Sequence, residues 1–293
     1  MHQKNLWQET SKEKIAFGNL TKSITTDLVV IGGGFTGCSA ALFAAKSGLS
    51  VTLIDQKIGY GGSGRNVGLV NAGLWMPPEK VESILGLDAG SKLNNALASA
   101  PDLVFSLIDS NLINCSANRS GTLHCAHSEK GLKDLQLRFK QLSKRGADLE
   151  LLDKQQTQQR IGSSEFFGSL FNKKAGVINP LAYCFGLARA AKSYGVNIYE
   201  STLANNIQSI NNDWLVKTPE SSIKAKMLLV ATNAYQKPIK GLNPSKYTSV
   251  QYFQVATKSL SLELTKNKIR VNCLSPGVIK ESKLFKDYSK SIT

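Results

Sequence analysis

The sequence predicts an α/β fold built on a Rossmann-like βαβ unit, and three observations predict it. Asp27-Leu28-Val29-Val30-Ile31 is a short run rich in β-branched residues, the pattern of a strand buried on both faces of a parallel sheet. Gly32-x-Gly34-x-x-Gly37 follows at once and leads into a helix-forming run, Cys38 to Lys46, closed by Gly48 in a C-cap position. Val51-Thr52-Leu53-Ile54 then reads as a second strand, ending in Asp55.

That order of elements is what a dinucleotide needs. Gly32 allows the tight turn, Gly34 lets the backbone approach a pyrophosphate, and Gly37 lets helix and strand pack closely. The amides of the opening turn, around Phe35 and Thr36, offer free N–H groups and the positive end of the helix dipole to phosphates. Asp55, followed by Gln56, stands where a carboxylate accepts hydrogen bonds from an adenosine ribose, and its charge repels a 2′-phosphate, which disfavours NADP. The motif is not a Walker loop, because Cys38 occupies the position where lysine is required.

A second glycine cluster follows the ribose acid. Gly59-Tyr60-Gly61-Gly62-Ser63-Gly64-Arg65-Asn66-Val67-Gly68 falls where a plain NAD domain proceeds into its next helix, and such a loop can wrap a longer cofactor. The bland alternative is a mobile surface loop.

Composition sets the outer bounds. The 293 residues are 42% apolar, enough for one large or two modest cores, and disorder is excluded. The formal net charge is +15, so nucleic acid has to be considered. The lysines are scattered among Ser and Asn without aromatic interleaving, however, and a solvated basic surface is the better reading. Five widely spaced cysteines and a polar first 26 residues without an apolar h-region point to reduced thiols and a cytoplasmic protein. Leu28 to Ala45 is uncharged, but its glycines argue against a membrane span. His124 and His127 lie three apart on a strand-like stretch and so face opposite sides, which argues against a metal site.

DLVVIGGGFTGCSAALFAAKSGLSVTLID followed by IGYGGSGRNVG resembles the D-amino-acid-oxidase-like FAD-dependent oxidoreductases, especially the γ-glutamylputrescine-oxidase-like branch that oxidises small amines and amino acids. SGTLHCA at 120–126, ELLD at 150–153, GVINPLAYCFGLARAAKSYGVNIYE at 176–200, LLVATNAY at 228–235 and VQYFQVAT at 250–257 occur in that family's order. The resemblance implies an α/β architecture in which an FAD-binding Rossmann-like (GxGxxG) domain, about 24–78 and 176–235, is interleaved with an incomplete α+β substrate domain, about 79–175 and 236–257. Residues 1–23 form a polar N-terminal extension. It also implies FAD as cofactor, with Gly32, Gly34, Gly37 and Asp55 on its ADP half. Gly62, Ser63, Arg65, Asn66 and Gly68 would approach pyrophosphate, ribityl chain or ring, the backbone near Ala204 the adenine, and Ala231-Thr232-Asn233 the pyrophosphate.

Between these motifs, residues 79–113 and 128–145 carry helical spacing, with Ser128 as N-cap and Gly146 as stop, joined through a strand at 121–125. A helix opens at Pro180 and runs to Tyr194, and Val196 to Val230 reads as four short strands turned by Asn211-Asn212-Asp213 and Pro219-Glu220-Ser221-Ser222. Met227 to Thr232 is expected to be a buried strand.

After Thr257 the resemblance stops. Thr257 to Lys266 and Ile269 to Ile279 resemble the late part of short-chain dehydrogenases/reductases, so a junction is expected at 257–262 and a tail of other origin at 258–293. Residues 253–293 are also the more basic part, with eight cations against three acids. No working reductase is implied, since none of the eight tyrosines has a lysine four residues on. The function expected is oxidation of the C–N bond of a small amine or amino acid by hydride transfer to flavin. The alternative is a non-catalytic chimeric fragment with residual FAD binding. No catalytic acid or base is identified.

Overall fold

The computed structural model describes residues 6–74 and 76–243; the expected junction and tail lie outside them. In chain order the elements are α1 (Leu6–Thr10), β1 (Ile24–Ile31), α2 (Phe35–Lys46), β2 (Val51–Ile54), β3 (Leu69–Val70), α3 (Pro78–Leu85), α4 (Leu87–Ser110), β4 (Thr122–Cys125) and α5 (Glu129–Ser143). They continue with β5 (Leu149–Leu152), α6 (Lys154–Ile161), β6 (Ser169–Asn172), β7 (Gly176–Val177), α7 (Pro180–Ser193), β8 (Asn197–Tyr199), β9 (Asn206–Ile210), β10 (Asp213–Lys217) and β11 (Ser222–Val230).

The main sheet has the order β8-β2-β1-β11-β10-β9. β8, β2, β1 and β11 run parallel, and β10 and β9 extend the sheet as an antiparallel edge. β1 is three residues longer than its hydrophobic run because Ile24, Thr25 and Thr26 pair with Ile223, Lys224 and Ala225 of β11. The β9–β10 hairpin closes through Asn211 and Asn212, both at positive φ, a conformation asparagine tolerates better than most residues.

Strand alternation covers both sheet faces. Val30, Val51 and Leu53 pack with Cys38, Ala41 and Leu42 of α2 and with Ala182, Leu187 and Ala188 of α7. On the other face Val29, Ile31 and Ile54 cluster with Leu20, Ile207, Val216 and Ile223. Leu42 and Leu53 are fully buried, and burial of each is worth about 1.5–3 kcal/mol relative to exposure, so tertiary packing rather than helix propensity holds α2 in place. A separate antiparallel sheet, β4-β6-β5, carries α5 through Leu132, Leu135 and Phe139. Ser128 caps α5 by accepting from Gly131 N–H.

Two features depart from expectation. Along Met227 to Val230 burial is partial, with Met227 42% exposed and the next three residues half-buried, although β11 sits centrally in the sheet. The polar N-terminal stretch, from residue 6 onward, is folded onto the domain: Ile15 and Phe17 pack against the main core, and Leu20 is buried.

The anchor of that stretch is Glu13, only 7% exposed. It accepts from Asn114 N–H at 2.8 Å and from Arg189 Nε and Nη2, each at 2.9 Å. Burial raises its carboxyl pKa, but the Arg189 and Asn114 bonds outweigh that effect and hold it below the usual carboxylate range. A depressed folded-state pKa means stability present above the ordinary glutamate pKa and lost as pH falls below it. Glu13→Ala is expected to cost about 1–3 kcal/mol at pH 7, since it strands partly buried donors. The difference in melting temperature from the wild type should shrink between pH 6 and pH 3; a pH-independent difference would show that the ion pair is not the cause.

Candidate functional site

The C-terminal ends of β1, β2 and β11 open into one cleft of about 290 Å³. Ile31, Gly32 and Gly34 come from β1 and its turn, Ile54, Asp55 and Gln56 from the end of β2, and Ala231 and Thr232 from beyond β11. Gly59 to Ser63 form one wall and Thr202, Leu203 and Ala204 another. In open α/β sheets, ligand crevices lie at this position, outside the carboxyl ends of the strands.

Two glycines of the first motif are required by close approach. A Cβ on Gly37 would fall on the carbonyl oxygen of Gly32 and 3.0 Å from its carbon, so α2 packs on the end of β1 only without one. Gly32, at φ +111°, lies against β11's continuation: a Cβ would stand 2.6 Å from Ala231 O. The opening turn of α2 leaves the amides of Thr36 and Gly37 without intrahelical acceptors. Phe35 N–H donates to Ser63 Oγ at 2.9 Å, which ties the second glycine cluster to the start of α2.

Asp55 is held from two sides. Its own N–H and carbonyl are laced to β8 and the residues after it, through Tyr199 O at 3.1 Å and Thr202 N–H at 3.1 Å. Its carboxylate accepts from Gly33 N–H and, at 3.0 Å, from Lys57 N–H. A carboxylate has about four lone-pair sites, so two backbone donors leave capacity for hydroxyl groups. Lys57 Nζ lies 3.8 Å from the centre of the Tyr60 ring, and Lys237 is a second cation on the rim.

Ten residues expected from sequence line this cleft: Gly32, Gly34, Asp55, Gln56, Gly62, Ser63, Ala204, Ala231, Thr232 and Asn233. Phe35, Thr36 and Gly37 form the first turn of α2 next to it, with Gly37 buried. Arg65 is exposed outside the lining. Asn66 and Gly68 are turned into their own loop: Asn66 Nδ2 donates to Ser63 O at 2.7 Å, and its Oδ1 accepts from Gly68 N–H at 2.8 Å. Sequence reasoning missed Tyr60, Tyr235, Lys57 and Lys237. The Tyr235 ring lies along the glycine cluster, 3.4 Å from where a Cβ of Gly61 would be.

Behind the cleft two thiols meet at the α2–α7 seam. Cys184 Sγ donates to Gly33 O at 3.3 Å. The Cys38 thiol is pushed well above its ordinary pKa by its hydrogen bond with Cys184 and by burial, which keeps it protonated although it stands in the first turn of a helix. His124 lies exposed on β4, and the His127 ring packs 5.1 Å from that of Phe166. Among the described residues no group of three or more His, Cys, Asp or Glu side chains is placed to hold a metal.

Comparison with known proteins decides the family: the FAD dependent oxidoreductase (DAO) model matches residues 27–279. The chain belongs to that family. Its cofactor is FAD, the one the glycine motifs led to expect. The family match runs on past Thr257, so a change of family at 257–262 and a reductase tail at 258–293 gain no support. A probable oxidoreductase OrdL of Haemophilus influenzae is 31% identical over 268 residues, covering 89% of this chain and 62% of that protein. The gamma-glutamylputrescine oxidoreductase of Escherichia coli is 30% identical over 236 residues, covering 80% and 55%. Glycine oxidase from Geobacillus kaustophilus has a similar fold, with a TM-score of 0.60 at 21% identity, covering 71% of this chain and 55% of that one. The chain thus spans a little over half the length of these proteins. No helix among the described residues is long and apolar enough to cross a membrane.

Proposed function

We propose that this chain binds FAD in the cleft at the ends of β1, β2 and β11 and serves the oxidation of a C–N bond in a small amine or amino acid. The observation that carries the reading is the convergence of Gly32–Gly37, Asp55, Gly62–Ser63 and Ala231–Thr232 on that cleft. The fit to FAD is physical. The open amides of the α2 turn suit a pyrophosphate, and spare acceptor sites on Asp55 suit a ribose diol. Lys57 and Lys237 add positive potential at the rim for the phosphates.

Bound there, FAD supplies a two-electron acceptor for hydride from the carbon next to nitrogen. The chain's own residues bind and orient. Gly34, Thr36 and Gly37 present backbone to the phosphates, Gly32 makes the turn and Phe35 N–H holds Ser63 beside them, Asp55 and Gln56 hold the ribose, and Ala204 borders the adenine. Gly62, Ser63 and Thr232 flank the pyrophosphate, while Asn66 and Gly68 hold the loop's shape and Arg65 is available from the loop surface. The amine class rests on the relatives, of which the one from Escherichia coli is an oxidoreductase of gamma-glutamylputrescine. The thiols of Cys38, Cys115 and Cys184 support a reducing, cytoplasmic location.

The test is a titration of the full chain with FAD, followed by flavin absorbance and fluorescence, and then anaerobic addition of amines and amino acids. Saturable binding, and bleaching of the flavin by one substrate class, is the expected result. A chain that stays colourless after gel filtration from excess FAD would overturn the reading.

A further inference from the structure

The N-terminal segment touches the second glycine cluster at two points far apart in sequence. Trp7 Nε1 donates to Asn66 O at 2.9 Å, and Gln8 Nε2 donates to the Tyr60 hydroxyl at 3.1 Å. Asn66 is the residue that fixes the loop from inside, through Ser63 O and Gly68 N–H. Ser63 Oγ in turn accepts from Phe35 N–H at the head of α2. A continuous chain of contacts therefore runs from Trp7 through Asn66 and Ser63 to the helix terminus that borders the cleft.

The segment is itself pinned where it crosses α7. Asn179 Nδ2 donates to Trp7 O at 3.1 Å and to Thr10 Oγ1 at 3.0 Å, while Asn179 Oδ1 caps α7 by accepting from Ala182 N–H. Further along, the Glu13–Arg189 pair fastens it to the far end of the same helix. A segment tied to a buried helix at two places and to a glycine-rich loop at two more is a strap. Gly61, Gly62 and Gly64 give that loop more backbone freedom than any other residue type would, so ordering it is costly unless contacts outside the loop restrain it.

We infer that residues 6–13 are a positioning element for the cofactor: Trp7 and Gln8 hold the 59–68 loop in its binding shape before the ligand arrives. The inference rests on the FAD reading above. Tyr60 lines the cleft, so Gln8 also orients a ring that borders the ligand. Preorganisation of this kind acts on affinity without any contact between the strap and the cofactor.

The test uses the full-length chain with Trp7→Phe, Gln8→Leu and the double variant, and Glu9→Ala as a control on an exposed neighbouring side chain. Two quantities are read: the dissociation constant for FAD, and hydrogen exchange of the 59–68 amides in protein stripped of flavin. Each single variant is expected to weaken FAD binding about three- to tenfold, with faster loop exchange and an unchanged melting temperature of the stripped protein. Glu9→Ala should alter neither. If wild type binds FAD and the double variant changes neither affinity nor loop exchange, the strap inference is wrong and the FAD reading stands. If wild type does not bind FAD, that reading fails, and unchanged loop exchange in the double variant then removes the strap as well. A general drop in melting temperature with loop exchange no faster than that of other segments would mark Trp7 as core packing only and overturn the inference.

Discussion

Gly37→Ala is expected to be among the most damaging single-carbon changes in this chain. The added Cβ meets a backbone carbonyl, that of Gly32, and Val30 Cγ1 stands 3.2 Å away, so no side-chain rotation relieves the clash. Overpacking a tight core costs about 1–3 kcal/mol, and a clash with a backbone carbonyl puts this case at the upper end. For a domain of this size that corresponds to a fall in melting temperature of roughly 6–12 °C. Flavin retention should fall with it, because separating α2 from β1 moves the helix terminus off the cleft. Differential scanning fluorimetry with and without FAD measures both; a variant within 2 °C of wild type that retains flavin would refute the packing argument.

Asp55→Ala is expected to raise the dissociation constant for FAD by about two orders of magnitude. Hydrogen bonds to a charged group are worth about 1.5–3 kcal/mol each, and two from a ribose would supply 3 kcal/mol or more, with tenfold for every 1.4 kcal/mol. The same carboxylate holds Gly33 N–H and Lys57 N–H, so part of the loss will come from a looser turn. The two contributions separate by comparison with Asp55→Asn, whose amide oxygen keeps one acceptor. An Asn variant with intact melting temperature but weakened binding locates the effect at the ligand. Equal affinity in all three proteins would place the ribose elsewhere.

Much of the nucleotide half was legible because its signals are local. A strand, three spaced glycines, a helix and a second strand occupy one stretch of chain, and the positions of β1, α2, β2 and Asp55 follow from it. The four strands after α7 were equally readable, since Asn211 and Asn212 mark the hairpin and Pro219 to Ser222 the next turn. The missed features depend on distance. Tyr235 reaches the glycine cluster from the turn after β11, and Trp7 meets Asn66 across 59 positions, neither with any periodic pattern to betray it. Helix α6 did leave a local sign: Asp153 and Gln156 form a capping box, the D-x-x-Q spacing that opens a helix. The contacts of Glu13 were hidden for the opposite reason, because a glutamate in a polar run gives no hint of an arginine 176 positions on.

The pairing of β1 with β11 also has a consequence for how the protein is made. Ile24 to Ile31 emerge from the ribosome about 200 residues before their partners on one side, Ile223 to Val230. At about 5–20 residues per second, β1 waits roughly 10–40 s with one edge unpaired. Only β2 can pair with it soon after it emerges. The wall of the cleft that follows β11, from Ala231 to Ile239, arrives later still. Sheet closure and completion of the cleft are thus a single late event in biosynthesis, and a nascent chain halted before residue 230 exposes a strand edge that chaperones must shield.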